Sequence, residues 1–304
     1  MLRADDAMLK PTPIRLAIGS ILIGLVVLAL KFWAAEITGS VALLSDALES
    51  IVNVVAAFAA LIAVRLAARP ADATLPYGYH KAEYFSAVLE GVFILIAALA
   101  IFYQAWQAIA NPRPITLDVQ SAAIVLLATA INGAWCAVLI GQGRKLRSPA
   151  IEADGHHLWT DVLSSLGVIV GLTAALLTGW MILDALIAVL VGLNILWSGS
   201  LLVARSVGGL MDAALPSEDL EAVRQTIQTN AEGAIEAHDI RTRRAGPATF
   251  IEFHLVVPGE MSVETAHEIC DRIEAALKAA TDGARVTIHV EPEHKAKHSG
   301  IVVV

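Results

Sequence analysis

Six long apolar stretches constrain this chain more than any other feature. They run over about 14–35, 41–65, 85–109, 119–140, 149–177 and 181–204. Each is near or above the roughly 20 residues that a helix needs to cross a bilayer. In lipid every backbone N–H and C=O must be satisfied within the protein, so runs of this kind are read as spanning helices. Composition agrees: 57% of the residues are hydrophobic and 16% charged, against about a quarter charged in ordinary soluble domains. No small-residue cleavage site follows the first run, which therefore reads as a span and not a removable signal.

Basic residues orient the spans. Arg3, Lys10 and Arg15 precede the first, Arg65, Arg69 and Lys81 lie between the second and third, Arg144, Lys145 and Arg147 lie between the fourth and fifth, and Arg205 follows the sixth. The opposite side has little beyond Lys31 and Arg113. Lys and Arg concentrate on the cytoplasmic side, so both termini are expected there, in a multi-pass protein of the cell membrane (the inner membrane if Gram-negative). The two cysteines, Cys136 and Cys270, fall in an apolar run and in the tail. They argue against a disulfide framework or a cysteine zinc site.

Two of the apolar runs carry polar pairs. Glu49 and Asn53 are four residues apart in the second, and His157 and Asp161 are four apart in the fifth, so each pair shares a helix face. Ionisable groups within membrane helices are costly and usually face a bundle interior or a water-filled path. The first turns of the fifth segment, Ser148 to Asp161, are polar on one side, as expected for a helix lining a cavity open to the cytoplasm. Any one of the four residues could instead be an interhelical hydrogen-bonding partner. Together their carboxylate, amide and imidazole arms suit a divalent transition metal. Counting about 1.5 Å per residue from the outer ends puts Glu49 about 12 Å deep and Asp161 about 24 Å, so counting alone does not bring the pairs together.

The remainder reads as a separate domain. From Ser206 onward there are 9 Lys+Arg against 16 Asp+Glu, a net charge of −7. That balance disfavours nucleic acid and anionic lipid as partners and favours cations. Pro216-Ser217-Glu218-Asp219 opens a helix to about Thr229. Strands are expected over Asp239–Arg244 and Thr249–Val257, an amphipathic helix over Val263–Ala280, and a third strand over Arg285–Val290. The order α-β-β-α-β makes a small two-layer α+β domain. Three regions follow: a six-helix membrane domain over 1–209, a cytoplasmic domain over 210–292, and an end over 293–304 expected to be disordered. The closing Ile301–Val304 run has no place in this plan. Six of the nine histidines lie in the tail. His294 and His298 read as surface residues of the loose end. His254 points away from Phe253 and Leu255 on its strand, and His289 and Glu291 share a face on the last strand, so neighbouring strands could bring these three into one cluster.

Six spans, polar pairs on the second and fifth, the loop motifs Pro70-Ala71-Asp72 and Tyr77-Gly78-Tyr79-His80-Lys81-Ala82-Glu83, Leu210-Met211-Asp212 and an α+β tail together resemble the cation diffusion facilitator family over nearly the whole chain. The resemblance implies a homodimer that exports divalent metal ions from the cytoplasm in exchange for protons. It also implies a ferredoxin-like cytoplasmic domain that binds further metal. Carried over by position, it puts the transport site on Glu49, Asn53, His157 and Asp161 and the cytoplasmic sites on His238, His254, His267, His289 and Glu291. Glu49 and Asn53 depart from the family's usual His or Asp and Asp. A loop site of one Asp and two His in the family falls on Asp72, Leu75 and Tyr79, of which only Asp72 can ligate, so that site looks vestigial. Lys81 and Asp212 match a pair that in relatives links the membrane part and the tail.

The chemistry follows from competition between metal and protons for the same deprotonated ligands, with His157 the natural proton carrier. Three oxygen-type ligands and one nitrogen lean toward Mn²⁺ or Fe²⁺, although Zn²⁺ accepts the same groups. A membrane-embedded metalloenzyme using the same quartet is the alternative. It would need an open metal position beside a general base, and the His-Glu-x-x-His signature of a zinc protease is absent. A passive channel would favour repeated pore motifs, and none is found.

Overall fold

The computed structural model of the chain describes residues 12–38, 41–110, 119–180, 182–281, 283–298 and 300–302. Arg3, Lys10 and Arg113, used above for orientation, lie outside the described residues, as do Val303 and Val304. The chain divides into two compact units, Met1–Val207 and Gly208–Val304.

Among the described residues, six long helices build the first unit: α1 (Pro13–Thr38), α2 (Val41–Ala67), α3 (Ala82–Ala110), α4 (Val119–Leu146), α5 (Pro149–Thr178) and α6 (Ile182–Leu210). Pro13 and Pro149 stand at first helical positions, where the missing N–H has no intrahelical partner to lose. Among the described residues, every one of these helices except α5 contains a window long and apolar enough to cross a membrane. The exception is the helix whose first turns are polar. Helices α1, α2, α4 and α5 share a core that includes Leu16, Ile21, Leu61, Leu139 and Ile151. Helix α3 packs against α2 and α5, and α6 meets α3 through Ile94, Ala98 and Ile195. Between α4 and α5 the backbones touch. A Cβ added at Gly143 would lie 2.7 Å from the Glu152 backbone nitrogen, and one at Gly155 3.0 Å from that of Ile140. Small residues permit such an approach, and it fixes α5, the bearer of His157 and Asp161, against its neighbour.

The second unit comprises α7 (Ser217–Asn230), β1 (Glu236–Ala245), β2 (Ala248–Val257), α8 (Val263–Ala280), β3 (Arg285–Pro292), a 3₁₀ turn (Glu293–Lys295) and β4 (Ile301–Val302). The sheet order is β3-β2-β1-β4. Strands β2 and β3 run parallel, and the other pairs are antiparallel. Ile251, Phe253 and Leu255 alternate along β2 into a core completed by Ile227 of α7 and Ile273 and Leu277 of α8. Even-numbered residues of β2 therefore turn to the other face. Ser262 caps α8, its hydroxyl accepting from the Thr265 N–H at 3.1 Å.

Two expectations need correction here. Strand β1 begins at Glu236, so His238 lies within the sheet and not ahead of it. The end after Pro292, expected to be disordered, is ordered as far as described: Ile301 and Val302 pair with Ala237 and Glu236. The cause is the free edge of β1. The Glu236 carboxylate accepts from the N–H groups of His298 at 2.9 Å and Gly300 at 3.1 Å, and Ile301 packs on the core.

Candidate functional site in the membrane helices and the cytoplasmic sheet

Asn53 of α2 and His157 and Asp161 of α5 meet in the first unit. His157 Nε2–H donates to Asn53 Oδ1 at 2.9 Å, and the Asn53 amide N–H donates to the Asp161 carboxylate. All three are buried, His157 to 4% exposure. His157 Nδ1 has no hydrogen-bond partner among the described residues. Glu49 stands one turn before Asn53 on α2, and its side chain lies outside the described residues. The depth mismatch obtained by counting from the outer ends is resolved from the other end. Asn53 is fourteen residues before Ala67 and Asp161 twelve after Pro149, or about 21 and about 18 Å at 1.5 Å per residue. The first count compared Glu49 with Asp161, whereas the residue that meets Asp161 is Asn53.

Sequence reasoning missed further buried acids in the same unit. Asp154 accepts from Ser20 Oγ at 2.5 Å, and Ser20 in turn accepts from Trp135 Nε1–H at 2.9 Å. Glu83 accepts from Ser148 Oγ–H. Glu90 is buried in the middle of α3. Asp154 lies three residues before His157 in the stretch already marked as polar, and Glu90 interrupts the apolar Val88-Leu89-Glu90-Gly91-Val92. Both signals were available in the sequence.

In the second unit, register aligns three histidines across the sheet: His238 is opposite His254, and His254 is opposite His289. Their ring centroids are 5.3 and 4.9 Å apart. Glu291 joins them, its carboxylate 3.3 Å from His238 Nε2, 3.3 Å from His254 Nδ1 and 3.8 Å from His289 Nε2. Ligating atoms of His238, Asp239 and His254 all lie within 4.8 Å of one another. Asp239 was missed because it sits at the irregularity of β1 between His238 and Arg241, with φ 53°. The Lys297 ammonium, 2.6 Å away, holds the Asp239 carboxyl below its ordinary range. Burial works against Glu236, yet the N–H groups of His298 and Gly300 hold its carboxyl below its ordinary value too. His267 is not part of this row. It is 73% exposed on α8 and pairs with Asp271 at 3.7 Å. Asp212 pairs with Arg243 at 3.2 Å, and Lys81 stands just before α3.

The loop before α3 uses Asp72 to organise itself. Asp72 accepts from the N–H groups of Thr74 at 2.8 Å and Leu75 at 2.9 Å and from the Tyr79 hydroxyl at 2.7 Å. The Tyr79 hydrogen bond, then that of Leu75, holds the carboxyl below its usual value. Its contribution to loop order is therefore complete above the ordinary carboxylate range and is lost as pH falls through the lowered value. Asp72→Ala is expected to loosen residues 72–79 while cation transport stays within about twofold. A tenfold loss, equivalent to about 1.4 kcal/mol, in a vesicle uptake assay would show that the loop carries a cation site after all.

Residues 17–211 match the family of cation efflux transmembrane domains, and residues 215–293 match that of the cytoplasmic domain of cation efflux proteins. The chain belongs to the cation diffusion facilitator family, as a multi-pass cation efflux transporter. Its relatives include an uncharacterized transporter, sll1263, of Synechocystis sp., 44% identical over 276 residues (91% of this chain, 89% of that one). The cation-efflux pump FieF of Klebsiella pneumoniae is 33% identical over 278 residues (91% and 92%). Among solved structures, the Zn form of CzrB is 52% identical over 28% of this chain and 98% of that one, with a TM-score of 0.27. The metal-bound C-terminal domain of the CzcD transporter from Thermotoga maritima is 30% identical over 27% and 100%, with a TM-score of 0.25.

Proposed function

We propose that the chain exports a divalent transition-metal ion of the Zn²⁺, Fe²⁺ or Mn²⁺ class from the cytoplasm by proton antiport, through Glu49, Asn53, His157 and Asp161. One observation carries this reading: Asn53, His157 and Asp161, from two different helices, meet while buried, the amide oxygen of Asn53 on the His157 imidazole and its N–H on the Asp161 carboxylate. Protons and a metal ion compete for such a set, because ligands bind metal only when deprotonated. In the loaded state the ion takes the place of the hydrogen bonds that now link the three. The oxygen-rich set leans toward Mn²⁺ or Fe²⁺, and zinc remains within its range.

The distribution of Lys and Arg supports cytoplasmic termini, and in this reading the transporter works as a homodimer whose second units bind cytoplasmic metal through His238, His254, His289 and Glu291. Metal bound there stiffens the dimer and does not pass through it. His254→Ala combined with Glu291→Ala in the full-length protein should lower calorimetric metal stoichiometry by at least one ion per chain and slow transport without abolishing it. Unchanged stoichiometry would remove the cluster from the reading.

The deciding experiment is uptake into proteoliposomes under an imposed pH gradient, with Zn²⁺, Fe²⁺, Mn²⁺, Cd²⁺ and Co²⁺ tested in parallel. Uptake of at least one ion should be coupled to proton movement in the opposite direction and should stop when the gradient is collapsed. Uptake indifferent to the gradient would exclude antiport.

A further inference from the structure

Glu90 stands out among the buried polar groups of the membrane unit. It is 1% exposed, and neither carboxylate oxygen has a hydrogen-bond partner among the described residues. The other buried acids nearby are satisfied: Glu83 by Ser148, Asp154 by Ser20, and Asp161 by Asn53. An unmet carboxylate in a low-dielectric interior is costly, and such groups persist where a cation or a path requires them.

Geometry fixes where Glu90 faces. Seven residues before it on α3, Glu83 bonds Ser148 at the start of α5. Three residues after it, the Phe93 ring lies 6.3 Å from that of His157. Residues seven before and three after lie close to one face of a helix, and the two contacts show that this face meets α5. From Ser148 to His157 the two helices run side by side in the same sense. Glu90 therefore faces the stretch of α5 between these contacts, which contains Asp154.

We propose that Glu90 is a further oxygen ligand for the transported divalent cation, forming with Asp154 an acidic station beside the Asn53–His157–Asp161 set. The inference rests on the reading that the membrane unit carries the cation. Asp154 is held by the Ser20–Trp135 chain and presents a fixed oxygen, whereas Glu90 is free to turn toward an ion. A carboxylate pair of this kind suits hard divalent ions with oxygen preference. It also gives the ion a place to rest while ligands at the deeper set exchange.

The test uses full-length protein in nanodiscs, with Mn²⁺ and Cd²⁺ as probes, and compares wild type, Glu90→Gln, Glu90→Asp and Asp161→Ala. Glu90→Gln keeps the shape and removes the charge. It should weaken membrane-unit binding of Mn²⁺ about tenfold and raise the transport KM by a similar factor, with less effect on Cd²⁺. Glu90→Asp keeps a carboxylate and should stay within about threefold of wild type, which also covers the case in which the Gln variant does not fold. Binding and KM unchanged in both variants, or equal losses in both, would overturn the assignment. If Asp161→Ala leaves transport intact while Glu90→Gln weakens Mn²⁺ binding, the quartet reading fails and the Glu90 station stands.

Discussion

Asp161→Ala is expected to lower cation uptake by at least about 100-fold. Loss of a group that merely orients a metal ligand typically costs about 10- to 100-fold in affinity or activity, and Asp161 is proposed as a ligand itself. It also anchors the Asn53 amide. With that acceptor gone, Asn53 is free to rotate and the His157–Asn53 bond loses its fixed partner. Two arms of the site are disturbed by one substitution. The protein should still fold, since Asp161 is not part of the apolar core shared by α1, α2, α4 and α5. The measurement is initial-rate uptake in proteoliposomes at matched protein density, with monodisperse elution as the folding control. Uptake within threefold of wild type would show that the ion does not pass through this set.

The second large effect is expected for Asn53→Asp. The present amide donates to Asp161 and accepts from His157, so it reads both neighbours with opposite ends. A carboxylate cannot do this. Two carboxylates would then sit side by side, and they demand a proton or a cation between them. In the proposed set, with Glu49 and Asp161 ionised and His157 neutral, the wild type would carry two negative charges and balance a divalent ion. The variant carries three. Metal should bind at least about tenfold more tightly at high pH, with one more proton released per ion, so that affinity falls more steeply as pH drops. Uptake should therefore shift its optimum and slow at neutral pH because release is harder. Calorimetry in two buffers of different ionisation heat counts the protons. An unaltered proton count and an unaltered pH profile would place Asn53 outside the ligand set.

These expectations were partly legible in the chain itself. The spanning helices declare themselves because lipid leaves the backbone no other option, and His157 and Asp161 stand out because charge within such runs needs a reason. Asp154 and Glu90 carry the same signal, yet neither has an acidic or imidazole partner four residues away within its own run. Their importance appears only once α3 is seen to pack on α5 and Ser20 to reach across from α1. The close α4–α5 contact beside them is set by small residues, Gly143 and Gly155, whose effect is geometric and leaves no trace in hydropathy. In the second unit the alternation of Phe253, His254 and Leu255 correctly implied which way His254 points. Asp239 escaped notice because a break in strand register, and not a periodic pattern, turns it toward the histidines. The ordered end escaped notice for a related reason. The apolar run Ile301–Val304 is too short to announce a strand, and only the edge of β1 makes one of Ile301 and Val302.

That short closing strand has a practical corollary for anyone purifying the protein. Val302 lies opposite Glu236, two residues from His238, and a Cβ at Gly300 would come within 2.9 Å of the His238 Cβ. An affinity tag fused downstream of this strand would therefore begin within a few residues of the histidine row of the sheet. A polyhistidine tag there would offer rival imidazoles to every ion titrated, and stoichiometries measured with it in place would count the tag. A removable tag at the opposite terminus avoids the artefact.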